Sequence, residues 1–104
     1  MNDRIKKKVY SYLGFAVKAR KVVFGKERIR AYIRSPREKK LIVIAEDASD
    51  RTKKDTIMRC ENKGVPYVIM FTKEDLGRLL DKPGVSVVGL EEDNLIEAIE
   101  KVVK

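Results

Sequence analysis

The sequence predicts an α/β protein, specifically a three-layer α/β/α sandwich around a small mixed four-stranded sheet. Five segments carry apolar residues at helical spacing, four short apolar runs lie between them, and the two kinds of segment alternate along the chain. The 104 residues suit one domain with one hydrophobic core. We therefore interpret residues 1–104 as a single domain without internal repeats.

The amino-terminal half predicts two helices and two strands. Asp3 is the predicted N-cap of a first helix whose apolar residues recur at helical spacing. Residues 21–24 predict a short strand, and Gly25 begins a second helix that Pro36 ends. Residues 41–45 are apolar without alternation, which predicts a central strand covered on both faces.

The carboxyl-terminal half predicts three more helices and two strands. A third helix covers residues 50–62, and the apolar runs at residues 66–71 and 85–90 predict strands. Two further helices follow these strands, the last of them ending near the carboxyl terminus. The alternation of helix and strand gives the predicted fold class its element order.

Capping residues mark the starts of the last two predicted helices. Thr72 and Asp75 have the spacing of a capping box at the start of the fourth helix. Asp93 or Asn94 is the predicted N-cap of the final helix. Both helices therefore carry a start signal in addition to their apolar periodicity.

The positive charge is concentrated at one end of the sequence. Residues 1–40 carry 14 Lys and Arg against 3 Asp and Glu, a net charge of +11, whereas residues 41–104 carry 10 against 13, a net charge of −3. Such asymmetry favours a localised site for a polyanion. A membrane is the competing anionic surface, but no stretch reaches ~18 apolar residues and no signal-peptide apolar region follows Met1. We predict a soluble, cytoplasmic protein that does not bind membranes.

Several catalytic and metal sites are excluded by composition. The chain has one cysteine, Cys60, and no histidine, so it cannot form an internal disulfide, a Cys–His catalytic pair or a Cys/His zinc site within one chain. Cys60 is a predicted core residue, and we expect no cofactor and no metal.

The junction before the second helix is the first candidate site. A glycine at a strand-to-helix junction, Gly25, allows another molecule to approach the backbone, and the first-turn N–H groups are anion donors. Around it lie six cations: Lys18, Arg20, Lys21, Lys26, Arg28 and Arg30. A solvated helix face explains any one of these cations, but their clustering favours RNA. Arg28 and Arg30 lie about 200° apart, so at most one faces the same ligand as Lys26.

A second candidate site is the loop after the predicted central strand. Glu46 and Asp47 lie at the carboxyl end of that strand, where open α/β sheets commonly place their sites. Paired carboxylates suit acid–base catalysis, so a small α/β enzyme is one alternative, and a protein-interaction module using this loop is another. Adjacent carboxylates on an exposed loop more often cap the next helix or orient nearby arginines.

Motifs spread over nearly the whole chain are Leu13-Gly14-Phe15-Ala16, Ala19-Arg20-Lys21-Val22-Val23-Phe24-Gly25, Leu41-Ile42-Val43-Ile44-Ala45-Glu46-Asp47-Ala48-Ser49, Cys60-Glu61 with Val65-Pro66, and Thr72-Lys73-Glu74-Asp75-Leu76-Gly77. The separation of residues 44–49 from residues 72–77 makes these two motifs a specific pattern. With them the chain resembles the kink-turn RNA-binding family of ribosomal and ribonucleoprotein core proteins, the L-seven-Ae and L-thirty-e group. Within this family the chain resembles the small bacterial YlxQ-type members in particular.

The resemblance implies the same α/β/α sandwich and an RNA site built from three loops. Carried onto this chain, the site comprises Gly25, Lys26, Glu27 and Arg28, then Glu46, Asp47 and Ala48, then Lys82, Pro83, Gly84 and Val85. The implied role is non-catalytic binding of structured RNA in the ribosome or its assembly. The implied partners are ribosomal RNA and ribosomal or assembly proteins.

The second helix departs from the pattern of strong kink-turn binders. Those proteins carry Asn-Glu, two residues and then Lys, where this chain has Glu27-Arg28-Ile29-Arg30-Ala31. The amide that would read a guanine edge has become a carboxylate, and the lysine is lost. Arg28 or Arg30 can replace a phosphate contact, so the sequence favours RNA binding in general over kink-turn binding in particular.

Overall fold

The computed structural model describes residues 3–103, and this part of the chain contains five helices and one four-stranded sheet. The helices are α1 (Asp3–Lys18), α2 (Lys26–Arg34), α3 (Asp50–Lys63), α4 (Lys73–Leu80) and α5 (Asp93–Val103). The strands are β1 (Val22–Phe24), β2 (Ile42–Ile44), β3 (Tyr67–Ile69) and β4 (Val87–Leu90). The predicted α/β fold with a mixed four-stranded sheet is confirmed.

In the strand order β1-β4-β2-β3, three strands have their carboxyl ends along the same edge of the sheet, the edge that runs across the strands. Strand β4 pairs antiparallel with both β1 and β2, whereas β2 pairs parallel with β3. Strands β1, β2 and β3 therefore run in the same direction. Because α2, α3 and α4 follow these three strands, all three helices begin at the same edge.

Helices cover both faces of the sheet. Helix α1 packs against α4 and α5, whereas α2 packs against α3, β1 and β4. Residues of β4 alternate between the two layers, because Val88 lies beside Leu13 of α1 and Leu76 of α4, and the next residue, Gly89, faces the ring of Tyr32 in α2. The result is the three-layer arrangement.

Two strands, rather than one, form the centre of the sheet. Strand β2 is completely buried, as predicted for a strand covered on both faces, and β4 is buried along its length beside it. Strand β3 is an edge strand with Ile69 43% exposed, and it is shorter than the predicted run at residues 66–71. Phe71 has a φ of 67°, so the chain turns towards α4 after β3 ends.

The predicted capping box at α4 is confirmed, and the predicted cap of α1 is not. The Asp75 backbone N–H donates to Thr72 Oγ1 and the Thr72 N–H donates to Asp75 Oδ2, each over 3.1 Å. Asp3 is instead a helical residue of the first turn of α1. The cap position of α1 therefore falls outside the residues that the structure describes.

Helix α5 is capped one residue earlier than predicted. The Leu95 backbone N–H donates to Glu92 Oε2 over 2.7 Å, and the helix begins at Asp93, so neither Asp93 nor Asn94 is the cap. The Asp93 carboxylate is instead paired with the Arg37 guanidinium at 2.6 Å. A longer carboxylate side chain thus supplies the cap while Asp93 ties α5 to the segment after α2.

Cys60 lies in the core, as predicted, and burial controls its reactivity. Its side chain is fully buried in α3, and desolvation, with a further contribution from Glu61, raises the thiol pKa to about 11. We expect the native thiol to react with a disulfide reagent at pH 8 at least about a thousandfold more slowly than in urea, because reaction requires opening of the fold. Equal rates in buffer and in urea would contradict the buried placement.

Candidate nucleic-acid interface

A cleft of about 820 Å³ lies between α2, α3 and the segment that leads into β4. Its α2 wall is formed by Lys26, Ile29, Arg30 and Ile33. Its α3 wall is formed by Arg51, Thr52, Asp55, Thr56 and Arg59. The third wall is formed by residues 82–87, together with Phe24 and Gly25. The cleft lies at the sheet edge where α2 and α3 begin. It therefore combines a loop, two helix starts and two helix faces in one concave surface.

The cleft is strongly basic. Its lining contains five cations and one carboxylate: Lys26, Arg30, Arg51, Arg59 and Lys82 against Asp55. Between the charged groups lie apolar side chains, among them Ile29 and Val85, both of which are buried. In a nucleic-acid site, cations bind phosphates and apolar side chains contact bases.

The start of α2 presents open backbone to the cleft. Gly25 is the N-cap residue, its φ of 97° favours glycine, and no side chain caps the helix. The first helical hydrogen bond runs from the Ile29 N–H to the Gly25 carbonyl at 2.9 Å, so the N–H groups of residues 26–28 have no acceptor within the helix. A Cβ built on Gly25 would meet nothing within 4 Å, which shows that the junction is open, as predicted.

Asp55 contacts two of the arginines, Arg59 on its own helix and Arg30 on the opposite wall of the cleft. Arg59 Nε on the same helix lies 3.2 Å from Asp55 Oδ1 and 3.1 Å from Oδ2, and Arg30 Nη2 of α2 lies 3.6 Å from Oδ2. The Arg59 hydrogen bond and the charges of both arginines lower the Asp55 pKa below its usual value. Arg30 Nε is buried and has no hydrogen-bond partner in the described part of the chain.

The third wall is fixed against α4. The Lys82 backbone N–H donates to the Gly77 carbonyl over 2.9 Å at the end of this helix. Asp81 and Gly84 have φ values of 55° and 62°, which turn the chain sharply on both sides of Lys82. A Cβ on Gly77 would lie only 2.3 Å from the Lys82 carbonyl oxygen, so the glycine allows the close approach of this loop.

The predicted site residues divide into two groups. Seven line the cleft: Gly25, Lys26, Arg30, Lys82, Pro83, Gly84 and Val85. Glu27 and Arg28 are exposed in the first turn of α2 but do not line it. Lys18, Arg20 and Lys21 are exposed before β1 and also do not line the cleft. Lys21 lies about 10 Å along the strand from the carboxyl end of β1.

Two side chains of the loop after β2 contact helices α1 and α4. Glu46 Oε2 lies 3.5 Å from Lys6 Nζ of α1, and Asp47 Oδ1 accepts a hydrogen bond from the Lys73 backbone N–H of α4 over 2.8 Å. The side chain of the next residue, Ala48, is buried. Asp47 thus accepts from a first-turn N–H of α4, whereas Glu46 forms an ion pair with α1. The helix that follows the loop, α3, is capped by Ser49 instead. None of the three loop residues lines the cleft.

Metal-binding side chains do not cluster in residues 3–103. No group of three or more His, Cys, Asp or Glu side chains in this range could hold a metal ion. The longest helix, α1, has 16 residues, and none of the described helices is long and apolar enough to cross a membrane.

Sequence reasoning missed the α3 wall of the cleft. Arg51, Asp55 and Arg59 are spaced four residues apart, which places them on one face of the helix. The pattern of alternating charge along that face is present in the sequence. Only the structure shows that this face is turned towards Arg30 of α2.

Residues 7–99 match the sequence profile of the Ribosomal protein L7Ae/L30e/S12e/Gadd45 family. The chain therefore belongs to this family. An RNA-binding protein YlxQ from Bacillus subtilis (strain 168) is 37% identical over 81 residues, which cover 78% of this chain and 80% of that protein. An RNA-binding protein YlxQ from Enterococcus faecium is 26% identical over 104 residues, covering 100% of this chain and 99% of the relative.

Solved structures share the fold. A protein of unknown function from Bacillus halodurans C superposes with a TM-score of 0.83 at 24% identity, covering 92% of this chain and 96% of the other. The Giardia lamblia 15.5kD RNA binding protein superposes with a TM-score of 0.77 at 22% identity, covering 99% and 88%. At these identities the two structures establish similarity of fold alone.

Proposed function

We propose that this protein binds structured RNA through the basic cleft between α2, α3 and residues 82–87, without catalysis. The observation that carries the proposal is the convergence of five cations from three segments beside the uncapped start of α2. The cations pair with phosphates, and the open N–H groups of α2 add donors for the same anions. The RNA-binding names of the YlxQ relatives support the same role.

The bound RNA is proposed to be ribosomal, and the protein to act in the cytoplasm on the ribosome or during its assembly. The family's description as ribosomal proteins supports this assignment. A sharply bent, kink-turn-like RNA suits the cleft because its phosphates and unpaired bases converge on one concave surface. Glu27 and Arg28 replace the Asn-Glu pair of strong kink-turn binders, so we expect recognition of RNA shape in preference to a guanine edge.

Removal of one cleft cation is expected to weaken RNA binding about tenfold. Lys26→Ala removes one phosphate contact and should also lower the steepness of the dependence of affinity on salt by roughly one unit. Fluorescence anisotropy with a kink-turn hairpin and with a fully paired hairpin of equal length, each at several salt concentrations, measures both effects. The bent RNA is expected to bind more tightly than the paired one.

Lys54→Ala is the matched control. Lys54 is an exposed cation of α3 that does not line the cleft, so its removal changes the net charge equally. We expect it to leave affinity within about twofold of the parent protein, as for a charge outside the contact surface. If the Lys26 and Lys54 variants lose affinity equally, or if affinity does not depend on salt, the cleft is not the RNA site.

A further inference from the structure

The exposed face of α1 is a basic stripe that the cleft does not include. Arg4, Lys8, Ser11, Phe15 and Lys18 are all exposed, and their positions fall within about 80° of one another around the helix. The other side of α1 packs against α4 and α5. We call these five residues the α1 stripe.

An aromatic ring lies in the middle of these cations. Phe15 is 56% exposed, and it lies one helical turn before Lys18 and two turns after Lys8. A single exposed apolar side chain is common on protein surfaces, so the weight of the observation lies in the cations on both sides of the ring. Aromatic rings flanked by cations are the surface on which unpaired bases stack while phosphates are neutralised.

No carboxylate in the described part of the chain neutralises the charge of the α1 stripe. Among residues 3–103, no carboxylate forms an ion pair with Arg4, Lys8 or Lys18, whereas the neighbouring Lys6 is paired with Glu46. The stripe contains no acidic residue. A negatively charged polymer is therefore the complementary partner.

The α1 stripe begins near the cleft edge of the sheet and leads away from it. The contact between Lys6 and Glu46 places the amino end of α1 at the edge where α2 and α3 begin. From Arg4 to Lys18 the stripe extends roughly 20 Å along the helix, and the exposed Lys21 follows it. An RNA strand that leaves the cleft at this edge can therefore continue along α1.

We propose that the α1 stripe binds an unpaired RNA segment that flanks the structured RNA in the cleft. Bases of this segment stack on Phe15, and its phosphates pair with Lys8 and Lys18. The inference rests on the proposed function, because RNA held in the cleft delivers the flanking strand to α1. It also gives a role to Lys18, which does not line the cleft.

The test compares two probes that differ only in an unpaired tail. One is the kink-turn hairpin, and the other is the same hairpin with a single-stranded adenosine tail of about ten nucleotides. The tail is expected to raise the affinity of the parent protein. Phe15→Ala should reduce affinity for the tailed hairpin about tenfold, the size of one base–aromatic stack, and leave the tail-free hairpin unchanged.

Two further variants keep the result interpretable. Met58→Ala removes a comparably exposed apolar side chain from α3, 52% exposed, and should affect neither probe. The double variant Lys8→Glu, Lys18→Glu should remove the benefit of the tail and reduce its salt dependence. A tail that gives the parent protein no benefit, or a benefit that survives Phe15→Ala and the charge reversal, overturns the proposal.

Failure of the proposed function produces a different result. If the tail-free hairpin does not bind, the cleft assignment fails. The labelled protein is then titrated with the free adenosine oligonucleotide, and its amide chemical shifts show whether the α1 stripe binds RNA. Shifts at residues 8–18 then support the stripe by itself. An absence of shifts there overturns the stripe, whatever happens at residues 25–30.

Discussion

Gly77→Ala is expected to lower the free energy of unfolding by about 2–3 kcal/mol, although alanine is the better helix former. The added Cβ would lie 2.3 Å from the Lys82 carbonyl oxygen and 3.5 Å from the Gly84 nitrogen. The 2.3 Å contact is a clash with a backbone atom, so no side-chain rotation can relieve it. The loop must move away from α4, which breaks the hydrogen bond from the Lys82 N–H to the Gly77 carbonyl.

The same substitution should reach the cleft. Lys82 and Gly84 form part of its third wall, so a displaced loop changes the shape that the RNA meets. Thermal unfolding followed by circular dichroism should show a fall in Tm of about 10–20 °C. RNA affinity measured well below the transition should also fall, which separates the change in shape from the loss of stability.

Gly14→Ala provides the control for Gly77→Ala. Gly14 lies inside α1, and a Cβ there would approach only Leu79 Cδ2, at an ordinary 3.8 Å. Alanine should therefore stabilise the protein by up to about 1 kcal/mol through helix propensity. If both substitutions change stability in the same direction, the close approach of Gly77 and Lys82 is not what limits that position.

Tyr32→Phe is expected to cost about 2 kcal/mol of stability. The buried Tyr32 hydroxyl accepts a hydrogen bond from the Leu41 backbone N–H over 2.9 Å and donates one to the Leu90 carbonyl. It therefore links α2 to the residue before β2 and to the end of β4. Phenylalanine fills the same space but leaves the Leu41 N–H buried without an acceptor.

Denaturant unfolding measures this cost, and Tyr67→Phe is the control. The Tyr67 hydroxyl bonds only weakly to Glu61, 3.4 Å away on the surface, so its removal should change stability by less than about 0.5 kcal/mol. Equal effects of the two substitutions would show that the Tyr32 bonds contribute nothing beyond a surface hydroxyl.

Burial of Tyr32 also predicts the direction of an alkaline effect. Desolvation raises the Tyr32 pKa above its usual value of 10.0, so the folded state holds the phenolic proton more tightly than the unfolded chain does. This contribution to stability is fully present below pH 10 and is lost as the pH rises through the folded-state pKa. The Tyr32→Phe variant should lack this part of the alkaline loss.

Element order was predictable from the sequence because periodicity reports which side of an element is buried. The apolar run at residues 41–45 has no alternation, and the corresponding strand is buried on both faces. The run at residues 66–71 looks the same but lies at the sheet edge, where Ile69 is partly exposed. An apolar run shows that burial is favourable, but it does not show how many neighbours the strand will have.

The candidate site was only partly predictable, because nearness in sequence differs from nearness in the fold. Lys21 and Gly25 are four residues apart, yet β1 carries them to opposite ends of the strand. Conversely, Asp55 and Arg30 are distant in sequence and meet across the cleft at 3.6 Å. Family resemblance predicted the loop containing Lys82. The α3 wall could be found only from the way α2 packs against α3 in the structure.

The common starting edge of α2 and α3 has an electrostatic consequence that no side chain controls. Both helices follow strands that run in the same direction, so their amino ends lie at the edge occupied by the cleft. The aligned peptide dipoles of each helix place about half a positive charge at its amino end. This partial charge does not titrate and cannot be removed by modifying lysines, so some attraction for phosphate should persist even in a variant whose cleft cations have all been replaced.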